Sequence, residues 1–188
     1  IRAAVLRVDV VSLPPISRLD LPPEDLGFAG ARLATADNAT TGQFTGQSFV
    51  TEEFAATPDT AAAALEAAIA RGAHFVVTLA DDATTLALAD LAGDRAIILN
   101  AGASGDRLRG EDCRANVLHV APSHAMLADA LAQFLMWKRW DEWFLIAGSH
   151  PQDQDLAAAY RDAARKLGAS IVEEWLFEDT GGARRCDT

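Results

Sequence analysis

A chain of 188 residues, 50% apolar and 23% charged, has the composition of a packed globular domain and lies outside the disordered, collagenous and fibrous ranges. Sixteen Lys plus Arg against 27 Asp plus Glu leave a net charge of −11, which argues against a broad footprint for nucleic acid or an anionic membrane and requires any anionic ligand to meet local cations. No apolar run reaches the ~18 residues that span a bilayer, and two cysteines, Cys113 and Cys186, are too few for a disulfide scaffold and too far apart for zinc-ligand spacing.

In chain order, strand and helix signals alternate. Beginning at Ile1 without a charged-then-apolar leader, the sequence reads as a mature or trimmed product. Ala3–Val11 is a Val-rich strand, ended by Pro14, Pro15, Pro22 and Pro23. Glu24–Asn38 carries apolar residues at helical spacing, with Gly42 and Gly46 closing the segment before the strand Ser48–Phe54. Pro58-Asp59-Thr60 predicts a helix cap, Ala61–Arg71 a helix stopped at Gly72, and His74–Leu79 a buried strand. Asp81 and Asp82 introduce a helix over Ala83–Ala92, and Ala96–Asn100 is a continuous apolar strand of the kind found in parallel sheets. After the polar stretch Ala101–Asn116 come the strand Val117–Val120 and a helix from the Ser123 cap to about Arg139. Trp143–Ala147, the helix Asp153–Leu167 and Ile171–Phe177 complete the series.

Strands separated by helices imply right-handed crossovers and a parallel sheet covered on both faces, so the fold class is α/β. Ligands of open α/β sheets collect at the strand carboxyl ends, which selects the loops starting at Ser12, Ala80, Asn100, Ala121 and Gly148. The loop after the first strand contains neither GxGxxG nor GxxxxGK[ST], which argues against dinucleotide and P-loop nucleotide binding in their usual forms. Asp81 and Asp82 stand where they could bind an amine or a metal, or where one simply caps a helix. The small residues Ala101–Gly105 either let backbone N–H groups approach a ligand or form an ordinary turn. His119, Ser123 and His124 cluster around a strand end and a helix start; that is an anion site, or a plain N-cap with a solvated histidine. Ser149 and His150 are adjacent and lack a GxSxG elbow, so no nucleophile–base pair is expected there. Trp137, Trp140 and Trp143, with Lys138 and Arg139, suggest a stacking platform, but their place at the far end of a helix favours core packing. The four histidines form no i,i+4 pair and Asp106, Glu111 and Asp112 no EF-hand pattern, so no metal site and no catalytic constellation are expected.

The run GFAGARLATADNATTGQFTGQSF (Gly27–Phe49) resembles the first helix and turn of type I periplasmic binding proteins, the receptors of branched-chain amino acid ABC importers. NVLHVAPSHAMLADAL (Asn116–Leu131) is similar to their hinge crossing and the first helix of the second lobe. ADNATTGQFTGQ, LRGEDCRANVLHVAPS and EDTGGARR resemble the subfamily associated with pyrroloquinoline quinone (PQQ)-dependent alcohol oxidation. The resemblance implies a type I periplasmic-binding-protein fold: a doubly wound parallel lobe one over residues 1–121 and a partial second lobe over 122–188, in a chain truncated relative to that family. It implies a non-enzymatic periplasmic receptor that presents a small ligand to ABC transporter membrane subunits, requires no cofactor and binds no nucleic acid, with PQQ as the favoured ligand. The alternatives are a receptor for another small acid or amino acid, and a ligand-sensing domain without a transport role. By position, ligand contacts fall on Ala80, Asp81, Asp82, Ala101, Gly102, Ala103, His119, Ser123, His124, Ser149, His150 and Gln152. For the carboxylates of PQQ the candidate partners are Arg18, Arg107, His124 and the helix start at Ser123. Cys113 and Cys186 are expected on different lobe edges and hence unbonded.

Overall fold

β1 (Arg2–Val8) is buried on both faces and runs through the middle of a parallel sheet, which is why its sequence reads as a nearly unbroken apolar run rather than an alternation. In this computed structural model, which describes residues 1–9 and 21–178, the chain divides into two compact units, Ile1–Ala121 and Pro122–Thr188. Arg18 and Cys186 lie outside the described residues.

The first unit holds β1, α1 (Phe28–Thr45), β2 (Val50–Ala56), α2 (Ala61–Ala70), β3 (Phe75–Leu79), α3 (Asp82–Ala92), β4 (Ile97–Asn100) and β5 (Val117–His119). Its five strands are parallel in the order β2-β1-β3-β4-β5, so the winding direction reverses between β1 and β3. Ala4, Leu6 and Val8 of β1, Val76 of β3 and Ile98 of β4 share one face and pack with Leu65 of α2 and Leu88 of α3. Each fully buried Leu or Ile there contributes about 1.5–3 kcal/mol. α1 lies against the opposite face, where Thr35 and Thr51 hydroxyls meet at 2.7 Å and Arg32 forks onto Glu53 with two 2.6 Å bonds. Arg7 tethers the stretch before α1 by donating to the Glu24 carbonyl at 2.7 Å and stacking over Phe28.

Boundaries differ from the sequence expectation where tertiary contacts intervene. α1 runs on to Thr45 with Gly42 buried inside it, because a Cβ at Gly42 would stand 2.3 Å from the Gln47 carbonyl oxygen; the left-handed Gly46 is the true end. Thr60 does not cap α2 with its side chain. Its hydroxyl instead accepts the Thr57 N–H at 2.9 Å.

The second unit holds α4 (His124–Trp137), β6 (Glu142–Gly148), α5 (Pro151–Leu167) and β7 (Ser170–Phe177). β6 and β7 pair in parallel, and Ala128 and Ala132 of α4 meet Ala159 and Ala163 of α5 in a small-residue seam with Trp143, Tyr160 and Leu167 around it. The strands' other face carries Phe144, Ile146, Trp175 and Phe177, all exposed, with Phe144 and Trp175 edge to face at 5.3 Å. The tryptophan cluster is not core as expected: Trp137 and Trp140 are 73% and 59% exposed, and only Trp143 enters the seam. α4 stops two residues early because Arg139 turns to a φ of 60°, and Lys138 places its ammonium 4.3 Å from the Trp137 ring. Among the described residues no helix is long and apolar enough to cross a membrane.

Candidate functional site

The winding reversal between β1 and β3 creates the position where open α/β sheets collect ligands. The loops after β3 and β4 meet at this carboxyl edge, each held by one polar side chain. After β3, Ala80 is buried, Asp81 caps α3 by accepting the Thr84 N–H at 2.7 Å, and Asp82 accepts the Gly105 N–H at 3.1 Å. After β4, Asn100 is fully buried and its Oδ1 accepts the N–H groups of Gly102 (3.1 Å) and Ala103 (2.8 Å). The Asn100 Nδ2 donates to the Ala103 carbonyl at 2.8 Å and to Nδ1 of His119 at 2.9 Å.

These bonds determine the chemistry each group has left. Because Asn100 presents its amide nitrogen to His119, the His119 Nδ1 is an acceptor and the proton sits on Nε2, which donates to the Leu108 carbonyl at 3.2 Å. Burial, then the nearby Arg109 charge, lowers the His119 pKa below its ordinary value, while the Leu108 bond opposes that shift. His119 is thus a neutral structural link. The N–H groups of Gly102 and Ala103, read from sequence as either open to a ligand or part of an ordinary turn, are committed to Asn100, and Ala101 N–H bonds the Thr78 carbonyl. What the loop presents is close-packed backbone: a Cβ at Gly102 would come within 2.8 Å of the Ala80 nitrogen.

Asp81, Asp82, Ala101, Gly102, Ala103 and His119 are therefore brought together with Asn100 in the first unit. Arg107 stands on the short helical turn Asp106–Arg109, 72% exposed and paired with Glu111 at 2.7 Å and Asp112 at 3.0 Å, so its charge is already balanced. In the second unit Ser123 is buried and caps α4 by accepting the Met126 N–H at 3.3 Å, with half-buried His124 in the first helical turn. Ser149, His150 and Gln152 are exposed around the start of α5, where Pro151 opens the helix and Gln154 donates to the Gly148 carbonyl at 2.5 Å. Among the described residues no group of three or more His, Cys, Asp or Glu side chains could hold a metal ion.

Sequence reasoning passed over Asn100 and Arg109. An Asn at a strand end before small residues is a readable turn signal. Arg109 carried none, since only the fold returns its guanidinium to the Ala121 carbonyl.

A periplasmic binding protein family matches residues 26–181. No curated protein matches the sequence. Among solved structures, the chain is similar to a leucine-, isoleucine-, valine-, threonine- and alanine-binding protein of Brucella ovis in its closed conformation, with 22% identity, TM-score 0.72, and coverage of 96% of this chain and 48% of that one. An ABC transporter substrate-binding protein of Desulfitobacterium hafniense in complex with Leu aligns at 19% identity and TM-score 0.70 over 94% of this chain and 50% of that one. A solute binding protein of an R. palustris ABC transporter in complex with benzoate aligns at 12% identity and TM-score 0.65 over 95% and 48%. The chain thus spans about half the length of these structures, and the likeness identifies the type I binding-protein fold.

Proposed function

The chain belongs to the periplasmic binding protein family, and from that premise we propose that it is a non-catalytic periplasmic receptor that holds a small carboxylate and presents it to the membrane subunits of an ABC importer. On this reading Ile1–Ala121 is its first lobe and Pro122–Thr188 part of a second. The observation that carries the proposal is the Asn100-held loop after β4, bonded to the α3 start that follows β3 beside the sheet's winding reversal, a rim at the carboxyl edge where such sheets take ligands. Within the second unit, the α4 start, with its Ser123 cap and His124 in the first turn, is by itself a place of positive potential suited to an anionic group. Arg18, outside the described residues, stays a cationic candidate from the sequence alone.

PQQ, a planar tricarboxylate, is the proposed cargo. Three segments support it by their resemblance to the PQQ-associated subfamily: 36–47, 108–123 and 178–185. A simpler acid is the second reading, favoured by the leucine and benzoate held by two of the similar structures, each a carboxylate. No cofactor is needed for either. Titration of the chain with PQQ, leucine and benzoate, read by PQQ absorbance and by fluorescence of its four tryptophans, tests the assignment. A saturable PQQ response with a Kd of roughly 10 μM to 1 mM, or about 4–7 kcal/mol, is expected. Saturation by leucine or benzoate with no PQQ response would transfer the assignment to the simpler acid, and silence with all three would remove the receptor reading.

A further inference from the structure

The last residues of the first unit are held by the same polar network that shapes the loop after β4. The Asn100 main-chain carbonyl accepts the N–H groups of Val120 (2.9 Å) and Ala121 (3.2 Å), while its side chain holds Gly102, Ala103 and His119. His119 reaches across to the Leu108 carbonyl, and the next residue, Arg109, donates from Nη2 to the carbonyl of Ala121, where the unit ends. Three separate segments, 101–103, 108–109 and 119–121, are thereby tied into one closed arrangement.

Arg109 is an expensive way to hold one carbonyl. Arg109 is partly buried and its Nη1 is buried with no partner among the described residues, and a buried donor left unsatisfied weakens a fold. What the planar fork supplies is direction: one arm fixes the Ala121 carbonyl while the charge stands against the neutral His119 ring. We propose that Arg109 is a positioning residue that sets the path of the chain as it leaves the first unit, and that it acts in concert with loop 101–103 through His119 and Asn100. Contact of a ligand with that loop and the geometry of 119–121 are then adjusted together. The ligand clause rests on the receptor reading above; the network does not.

Amide hydrogen exchange and NMR titration of the chain decide it. In Arg109→Met, exchange of Val120 and Ala121 should quicken by about tenfold, and exchange of Gly102 and Ala103, which Arg109 does not touch, should quicken with it. The His119 titration midpoint should rise toward its ordinary value in the Met variant and stay low in Arg109→Lys, which keeps the charge; because loosening that exposes the ring would raise it too, the comparison is made where the β1 amides stay as protected as before. Arg109→Gln, whose shorter side chain carries neither the charge nor the fork, should give the Met pattern and serves if the Met variant does not fold. Faster exchange confined to Val120 and Ala121, an equal rise in the β1 amides, or an unmoved His119 midpoint would overturn the proposal. Saturating PQQ should slow exchange at 102–103 and at 120–121 together; protection of the loop alone would overturn the coupling. A chain that fails to bind PQQ strikes the cargo assignment and leaves the ligand-free comparison to judge the network.

Discussion

His119 occupies a place that only the neutral imidazole can fill, with an acceptor nitrogen toward the Asn100 amide and a donor toward the Leu108 carbonyl. Protonation would set two donors against each other at Nδ1. Burial and then the Arg109 charge hold its pKa below the ordinary value, so the unfolded chain binds this proton more readily than the folded one. The stability it contributes is complete above a pH of about 6.5, the unfolded value, and is lost as pH falls below that toward the folded value. The stability gap between the native sequence and His119→Gln should therefore be widest near pH 7.5 and shrink toward pH 5, measured by denaturant midpoints; a constant gap would place the imidazole outside the network. The sequence marked His119 as a possible ligand contact. It could not show that both ring nitrogens are occupied, because the two partners lie 19 and 11 residues away along the chain.

At the scale of elements, glycines with the same composition signal play opposite parts. Gly102 presses the loop after β4 onto β3: a Cβ would meet the Ala80 nitrogen at 2.8 Å and its oxygen at 2.9 Å, both backbone atoms that cannot swing aside. Gly30 lies inside α1 with nothing within 4 Å of where a Cβ would stand. Gly102→Ala is expected to destabilise by about 1–3 kcal/mol. Gly30→Ala should stabilise by about 0.5–1 kcal/mol, since Ala is the better helix former. Denaturant unfolding at unchanged m-value checks both, and equal effects would show that the close approach at Gly102 relaxes without cost. The same contrast explains α1, where Gly42 read as a helix end and is instead the point at which the helix passes the Gln47 carbonyl.

Across the whole molecule each unit carries its own core, Leu- and Ile-based over the five-stranded sheet and alanine-based between α4 and α5. A seam of Ala128, Ala132, Ala159 and Ala163 leaves no room for a longer side chain. Ala132→Leu should cost the second unit about 1–3 kcal/mol. In hydrogen exchange, the amides of α4 and β6 should then open more readily while those of β1 stay as protected as before. Equal loss of protection in β1 would mean that the two cores unfold as one.

The order and type of the described elements were legible in the sequence, because strand-forming apolar runs, helical spacing and glycine stops are local properties of neighbouring residues. So were the strand-end loops to inspect, the Ser123 cap and a cap at either Asp81 or Asp82, of which the structure selects Asp81; each cap rests on a residue three positions from its bond partner. Tertiary structure alone decided the division into sheets of five and two strands, the exposure of Trp137 and Trp140, and the closing of Asn100, His119 and Arg109 around the exit of the first unit. Those features depend on which distant backbone groups meet a side chain, and hydrophobic periodicity carries no record of such meetings.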